Sequence, residues 1–146
     1  MPGPLSEDEN MIEIRRLIPA SREEVFAAWT DPEGIRVWMC PGDVIETEAR
    51  LDVRVGGDFK IVMKSPGKDH VHTGTYQVVD PPSRLAFTWI SEATDFSPSL
   101  VTVELFDRAG QTELVLTHER MPRPDVVPRY KAGWATIAEK LTKYLA

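Results

Sequence analysis

The stretch VVPRYKAGWATIAEKLTKYL, Val126–Leu145, decides the fold. Val127, Tyr130, Trp134, Ile137, Leu141 and Tyr144 recur at intervals of 3, 4, 3, 4 and 3, which puts six apolar side chains on one side of a helix. Arg129, Lys131, Glu139, Lys140 and Lys143 stay on the other side. Asp125 is the expected N-cap, and Pro128 falls in the first turn, where a missing amide costs little. Twenty helical residues span ~30 Å, enough to cross a wide sheet. A helix with one apolar stripe needs a surface to cover, and the preceding residues supply it.

From Val44 onward the chain reads as strands: Val44–Leu51, Asp58–Lys64, Val71–Val79, Leu85–Ile90, Leu100–Phe106 and Glu113–His118. Gly56-Gly57, Pro66-Gly67, Pro81-Pro82 and Ala109-Gly110 separate them, as turns of an antiparallel meander do. Alternation places Phe59, Ile61 and Met63 on one face, with Tyr76 and Val78, Leu85, Phe87 and Trp89, Val101, Val103 and Leu105, and Leu114, Leu116 and His118. Lys60, Lys64, Gln77, Thr88, Thr102, Glu104, Glu113 and Thr117 occupy the other, so one face is wet. Upstream, Met11–Ile18 reads as a first strand, with Arg16 on its apolar side. Ser21-Arg22-Glu23-Glu24 is a capping box opening a helix that buries Val25, Phe26 and Trp29, and Asp31-Pro32 starts a second, short helix through Trp38. The expected class is α+β: a curved antiparallel sheet, two short helices after the first strand, and a long C-terminal helix. If the sheet curves more than the helix fills, a lined hollow remains.

Bulk properties restrict the function. A chain of 146 residues falls in the size range of one domain, read here as residues 10–146. Residues 1–9, with three acidic side chains after Pro2-Gly3-Pro4, read as a disordered leader and not a signal peptide. No apolar run reaches the ~18 residues of a membrane span. Cys40 is alone, which excludes an intrachain disulfide and a cysteine zinc cluster, and a cytoplasmic location is expected. The 17 basic and 23 acidic side chains give a net charge of −6, with basic residues scattered singly or in short pairs such as Arg15-Arg16. Nucleic acid is not an expected partner, since a phosphate backbone demands a concentrated positive face.

The order of elements resembles the helix-grip fold of the START and birch-pollen-allergen superfamily, SRPBCC. The wording resembles one branch of it, that of the Hsp90 ATPase activator homologue C-terminal domain. The residues that carry this are Ala28-Trp29-Thr30-Asp31-Pro32, Trp38, Arg54-Val55-Gly56-Gly57-Asp58-Phe59 and Gly74-Thr75-Tyr76. Val79-Asp80-Pro81-Pro82-Ser83-Arg84-Leu85-Ala86-Phe87-Thr88-Trp89, Thr112-Glu113-Leu114, Leu116-Thr117-His118-Glu119, Gly133-Trp134 and Leu141 continue it. The resemblance implies a seven-stranded antiparallel sheet wrapped around the last helix with a cavity between them. It implies no single chemistry, because superfamily relatives bind lipids, hormones and polyketides while a minority are cyclases or hydrolases.

The expected function is therefore binding of a small apolar or aromatic ligand between the concave sheet face and the C-terminal helix, by a monomer or homodimer. The candidate ligand-binding residues are Trp38, Phe59, Met63, Tyr76, Phe87, Trp89, His118 and Trp134. Aromatic residues drawn from separate elements line such pockets, although singly each is equally a core residue. Tyr76, His118 and Tyr130 are the polar groups available. His118 is a general base, a hydrogen-bond donor to a bound polar group, or an imidazole satisfied by a backbone carbonyl at the sheet end. His70 and His72 would sit on one strand face ~7 Å apart, but the sequence supplies no third metal ligand, and a solvated strand end explains them. Cys40 has no sequence-local base to activate it. No catalytic residue, metal or cofactor is assigned. The alternatives are a chaperone-associated interaction protein, as the resemblance implies, and a cyclase or hydrolase using the same cavity.

Overall fold

Residues 11–146 are described by a computed structural model of the chain, and the leader expected at residues 1–9 lies outside them. The chain opens with strand β1 (Ile12–Ile18), then helices α1 (Arg22–Thr30) and α2 (Pro32–Trp38). Six strands follow: β2 (Glu46–Leu51), β3 (Asp58–Ser65), β4 (Lys68–Asp80), β5 (Arg84–Trp89), β6 (Ser99–Arg108) and β7 (Gln111–Glu119). Helix α3 (Val127–Leu145) ends the fold. The strands form one antiparallel sheet in the order β1-β7-β6-β5-β4-β3-β2. β1 and β2 are thus opposite edges, and α1 and α2 carry the chain from one edge to the other. This is the helix-grip architecture.

Local chemistry explains the elements. Ser21 Oγ accepts from the Glu24 amide at 3.2 Å while the Ser21 amide donates to Glu24 Oε1 at 3.4 Å, so the capping box is formed. Asp31 Oδ1 accepts from the Glu33 amide at 3.0 Å, and Pro32 opens α2. Gly56, at φ +84°, turns the chain from β2 into β3, and the flanking backbone pairs with Tyr76 of β4. On β4, Gly74 lies opposite Phe59, whose ring occupies the space a side chain there would need.

The core lies between the sheet's concave face and α3, with α1 and α2 closing one end. Phe59, Ile61, Met63, Leu85, Phe87, Trp89, Val101, Val103, Leu105, Leu114 and Leu116 are all buried, as their parity requires. Arg16, the basic residue on the apolar side of β1, donates from Nε to Thr142 Oγ1 of α3 at 3.1 Å. From α3, Trp134, Ile137, Ala138 and Leu141 are buried.

Four expectations change, the first being that Thr102, placed on the wet face of the sheet, is buried. A register shift between Tyr76 and Val78 lets Val79 pair with Leu85, so Val79, not Val78, packs on the core. Asp125 does not cap α3: it sits in a 3-10 turn, Pro124–Val126, that runs straight into the helix, and its carboxylate meets Arg123 Nε at 3.3 Å. Tyr144 lies at the end of the stripe and is 42 % exposed instead of buried, with its hydroxyl over Gly34 of α2.

Candidate functional site

A cavity of about 500 Å³ opens between the sheet and the N-terminal half of α3. Its floor is Met63 of β3, His70 and His72 of β4 and Trp89 of β5. Its roof is Tyr130, Gly133, Trp134 and Ile137 of α3. Two loops form the rim: Pro41–Val44, between α2 and β2, and the segment after β5 that carries Ser91 and Phe96. Lys140 Nζ on the Cys40 carbonyl and Thr47 Oγ1 on the Met39 carbonyl (2.8 Å) hold the first loop's base. The second is tied down by Lys68–Glu92 (3.2 Å) and Arg123–Asp95 (3.3 Å). Asp95 and Phe96 both have positive φ, 53° and 57°, and this turn leaves the Phe96 side chain 72 % exposed at the mouth.

Beside the cavity lies a fully satisfied polar chain. His118 is buried, and its Nδ1 accepts from Trp134 Nε1 at 3.0 Å. Nε2 therefore carries the proton and donates to Ser99 Oγ at 2.7 Å, and Ser99 donates in turn to the Trp89 carbonyl at 2.6 Å. Burial, with a smaller contribution from His72, lowers its pKa to about 3, so the imidazole is neutral. Both ring nitrogens are engaged inside the protein. His118 locks β7 to β6 and α3, and it has no free nitrogen to act as a base or to meet a ligand.

His72 is the opposite case. It lies on the concave face, 8 % exposed, stacked on Trp89 with ring centroids 4.7 Å apart, and its buried Nδ1 has no partner. Burial lowers its pKa to about 4, with the His70 side chain acting the same way; the nearby Ile61 and His70 carbonyls oppose this but make no hydrogen bond of normal geometry to Nδ1. Ser91 Oγ and Tyr130 Oη share a hydrogen bond of 2.9 Å on the neighbouring wall. Burial raises the Tyr130 phenol, with the Ser91 bond acting the other way. The Trp89 indole N–H is near enough to Tyr130 to influence it yet makes no hydrogen bond of normal geometry.

The family model for the activator of Hsp90 ATPase homolog 1-like protein matches residues 19–146. The chain belongs to this family. Among solved structures of similar fold, a Chromobacterium violaceum protein is 23% identical, with a TM-score of 0.80, covering 93% of this chain and 96% of its own. CalU16 from Micromonospora echinospora is 26% identical, with a TM-score of 0.72, covering 93% and 76%. DynU16, from the dynemicin biosynthetic locus, is 22% identical, with a TM-score of 0.77, covering 93% of this chain and 47% of its own. No curated protein matches the sequence.

In this member of the Hsp90 activator homologue family, the structure divides the candidate site residues. Met63, Trp89 and Trp134 line the cavity. Phe59, Tyr76 and Phe87 surround, with Trp29 and Ile35, a void of only about 10 Å³, because their rings pack against one another at centroid distances of 5.4–6.1 Å. Trp38 lines neither space: its ring meets Trp29 edge-on at 4.8 Å. His118 is withheld by its two hydrogen bonds. Sequence reasoning missed His72, reading it as a solvated strand end. The signal was present, since counting back from inward-facing Tyr76 gives Gly74, His72 and His70 the same face. Among the described residues no group of three metal-ligating side chains occurs, and no helix is long and apolar enough to cross a membrane.

Proposed function

We propose that the chain binds a small, largely apolar ligand in the cavity between β3–β5 and the first half of α3. The observation that carries this is the volume itself: about 500 Å³ lies within the ~300–1,000 Å³ typical of small-molecule sites. The lining supports it, because Met63, Trp89, Trp134 and Ile137 supply apolar walls while His72, Ser91 and Tyr130 supply a few polar contacts. Apolar burial at ~25 cal/mol per Å², less the cost of ordering the ligand, provides the affinity. Membership of the family is compatible with this reading and selects no ligand.

The test is a thermal-shift screen of hydrophobic compounds on two proteins, the natural chain and a Gly133→Trp variant. Gly133 sits in the roof, and a Cβ there would have Pro41 Cβ at 3.9 Å as its nearest neighbour, so an indole is accommodated by filling the cavity. A ligand at 100 times its Kd stabilises by ~2.7 kcal/mol, or about 5–10 °C in Tm for a chain of this size. Hits are expected with the natural chain and lost in the variant, which remains folded. Compounds that shift both proteins equally, or a broad screen with no hits, would remove the proposal.

A further inference from the structure

We infer that the cavity selects an uncharged aromatic molecule bearing one hydroxyl group, received at His72 and the Ser91–Tyr130 pair, and rejects anionic apolar molecules such as fatty acids. The inference rests on the ligand-binding reading above and adds the chemistry of the ligand.

The polar groups form one cluster. Thr73 and Ile90 pair across β4 and the end of β5, with amide-to-carbonyl distances of 3.0 and 2.9 Å. Antiparallel register then puts His72 opposite Ser91, where cross-strand Cβ atoms lie ~4.5–5.5 Å apart. Ser91 is joined to Tyr130 on the facing helix, so imidazole, hydroxyl and phenol meet at one wall. Their hydrogen-bonding capacity is incomplete. Two hydroxyls that share one hydrogen bond use one of their two protons, and His72 Nδ1 is without a partner. An incoming oxygen that both accepts and donates completes the set, which leaves fewer buried polar groups unpaired.

Charge argues against an acid. The cluster's members are neutral groups, and burial opposes a charge on each of the two ring systems. The charged side chains among the lining residues are Asp43, Asp69, Glu92 and Arg129, three acidic against one basic. Lys68 on Glu92 and Lys140 at the first loop balance the rim, so the selection lies deeper: a carboxylate entering here would meet no buried cation, and its desolvation would go uncompensated. The walls explain the aromatic preference: the stacked His72–Trp89 pair, Trp134 and Tyr130 present flat faces and ring edges.

Three ligands of one ring system decide the matter by isothermal titration calorimetry at pH 7.5: naphthalene, 2-naphthol and 2-naphthoate. Naphthalene is the most hydrophobic, so a purely apolar cavity would favour it. We expect 2-naphthol to bind about ten-fold more tightly than naphthalene, and 2-naphthoate at least ten-fold more weakly than 2-naphthol. In His72→Phe and Ser91→Ala the preference for 2-naphthol should vanish while naphthalene affinity stays within about two-fold. Naphthalene binding as well as 2-naphthol in the natural chain overturns the polar receptor and leaves the cavity reading intact. Naphthoate binding as well as 2-naphthol overturns the charge selection. Failure of all three to bind overturns this inference together with the proposal beneath it.

Discussion

Lowering the pH from 7.5 to 5 should destabilise the protein by several kcal/mol through two buried imidazoles. In the unfolded chain each titrates near 6.5, whereas in the fold His72 protonates only at about 4 and His118 at about 3. Below pH 6.5 the unfolded chain therefore binds more protons, and acid draws the equilibrium toward it. The stability these groups allow is complete above pH 6.5. It falls with both residues acting down to about pH 4, and with His118 alone from there to about pH 3. One proton contributes ~1.4 kcal/mol per pH unit, so at pH 5 the two together cost on the order of 4 kcal/mol. A domain with ~5–15 kcal/mol of total stability would feel that as a large fraction.

Urea unfolding followed by tryptophan fluorescence at pH 7.5, 6 and 5 measures the loss, and the histidine Cε1 protons in NMR spectra report the two titrations directly. His118→Gln should lower stability at pH 7.5 by ~1–3 kcal/mol, because the buried Trp134 indole N–H loses its acceptor. The same variant should lose about half of the pH dependence between 6.5 and 4. Equal stability at pH 7.5 and 5 within ~1 kcal/mol, or imidazoles titrating near 6.5 in the folded protein, would refute the assignment of both histidines as buried neutral groups.

Gly74→Ala should destabilise by about 3 kcal/mol or more in the same urea assay, since its Cβ would lie 1.9 Å from the Thr88 carbonyl oxygen and 2.5 Å from the Phe59 ring. A loss below ~1 kcal/mol would mean that Phe59 does not rest on that glycine. Ser21→Ala should remove the capping box of α1 at a cost of ~1 kcal/mol, seen as a fall in Tm of about 2–4 °C. An unchanged melting curve would show that the fold is insensitive to how α1 begins.

The elements were legible because each carries its own period. The 3-and-4 spacing from Val127 to Leu141 and the two-residue alternation of β3, β5, β6 and β7 each fix a buried face without knowledge of the others. Legibility failed where one extra residue or one turn broke the period. The bulge after Tyr76 exchanged Val78 for Val79, and the 3-10 turn before α3 displaced the cap expected at Asp125. The site was harder to read for a different reason. Sequence parity says that Phe59, Tyr76, Phe87 and His118 point inward, but whether an inward side chain meets a void or a neighbour depends on which residues come from other elements. His118 meets Ser99 from β6 and Trp134 from α3, and neither meeting is written in the local pattern.

The position of the cavity follows from where the large side chains of the covering helices fall. At one end of the concave face, Trp29 of α1 stands against Trp38 and reaches Phe87 and Trp134 at 6.4 Å, so the hollow is filled by indole. At the other end α1 and α2 contribute no ring, and between Tyr130, Trp134 and Ile137 helix α3 offers Ala132, Gly133 and Thr136, side chains too small to fill the space. Trp89 stands at the boundary, lining both the closed void and the open cavity. The fold thus separates a packed end from an open end along one surface. Substitutions around Trp29 and Phe87 remove packing and cost stability, whereas Gly133, Ser91 and Phe96 face open volume, where a change of side chain reshapes the cavity and not the core. Substitutions at Ala132, Gly133 and Thr136 of α3 and in the two rim loops would alter the volume of the cavity most directly, because those residues bound it while Trp134 and Ile137 of the same helix belong to the core.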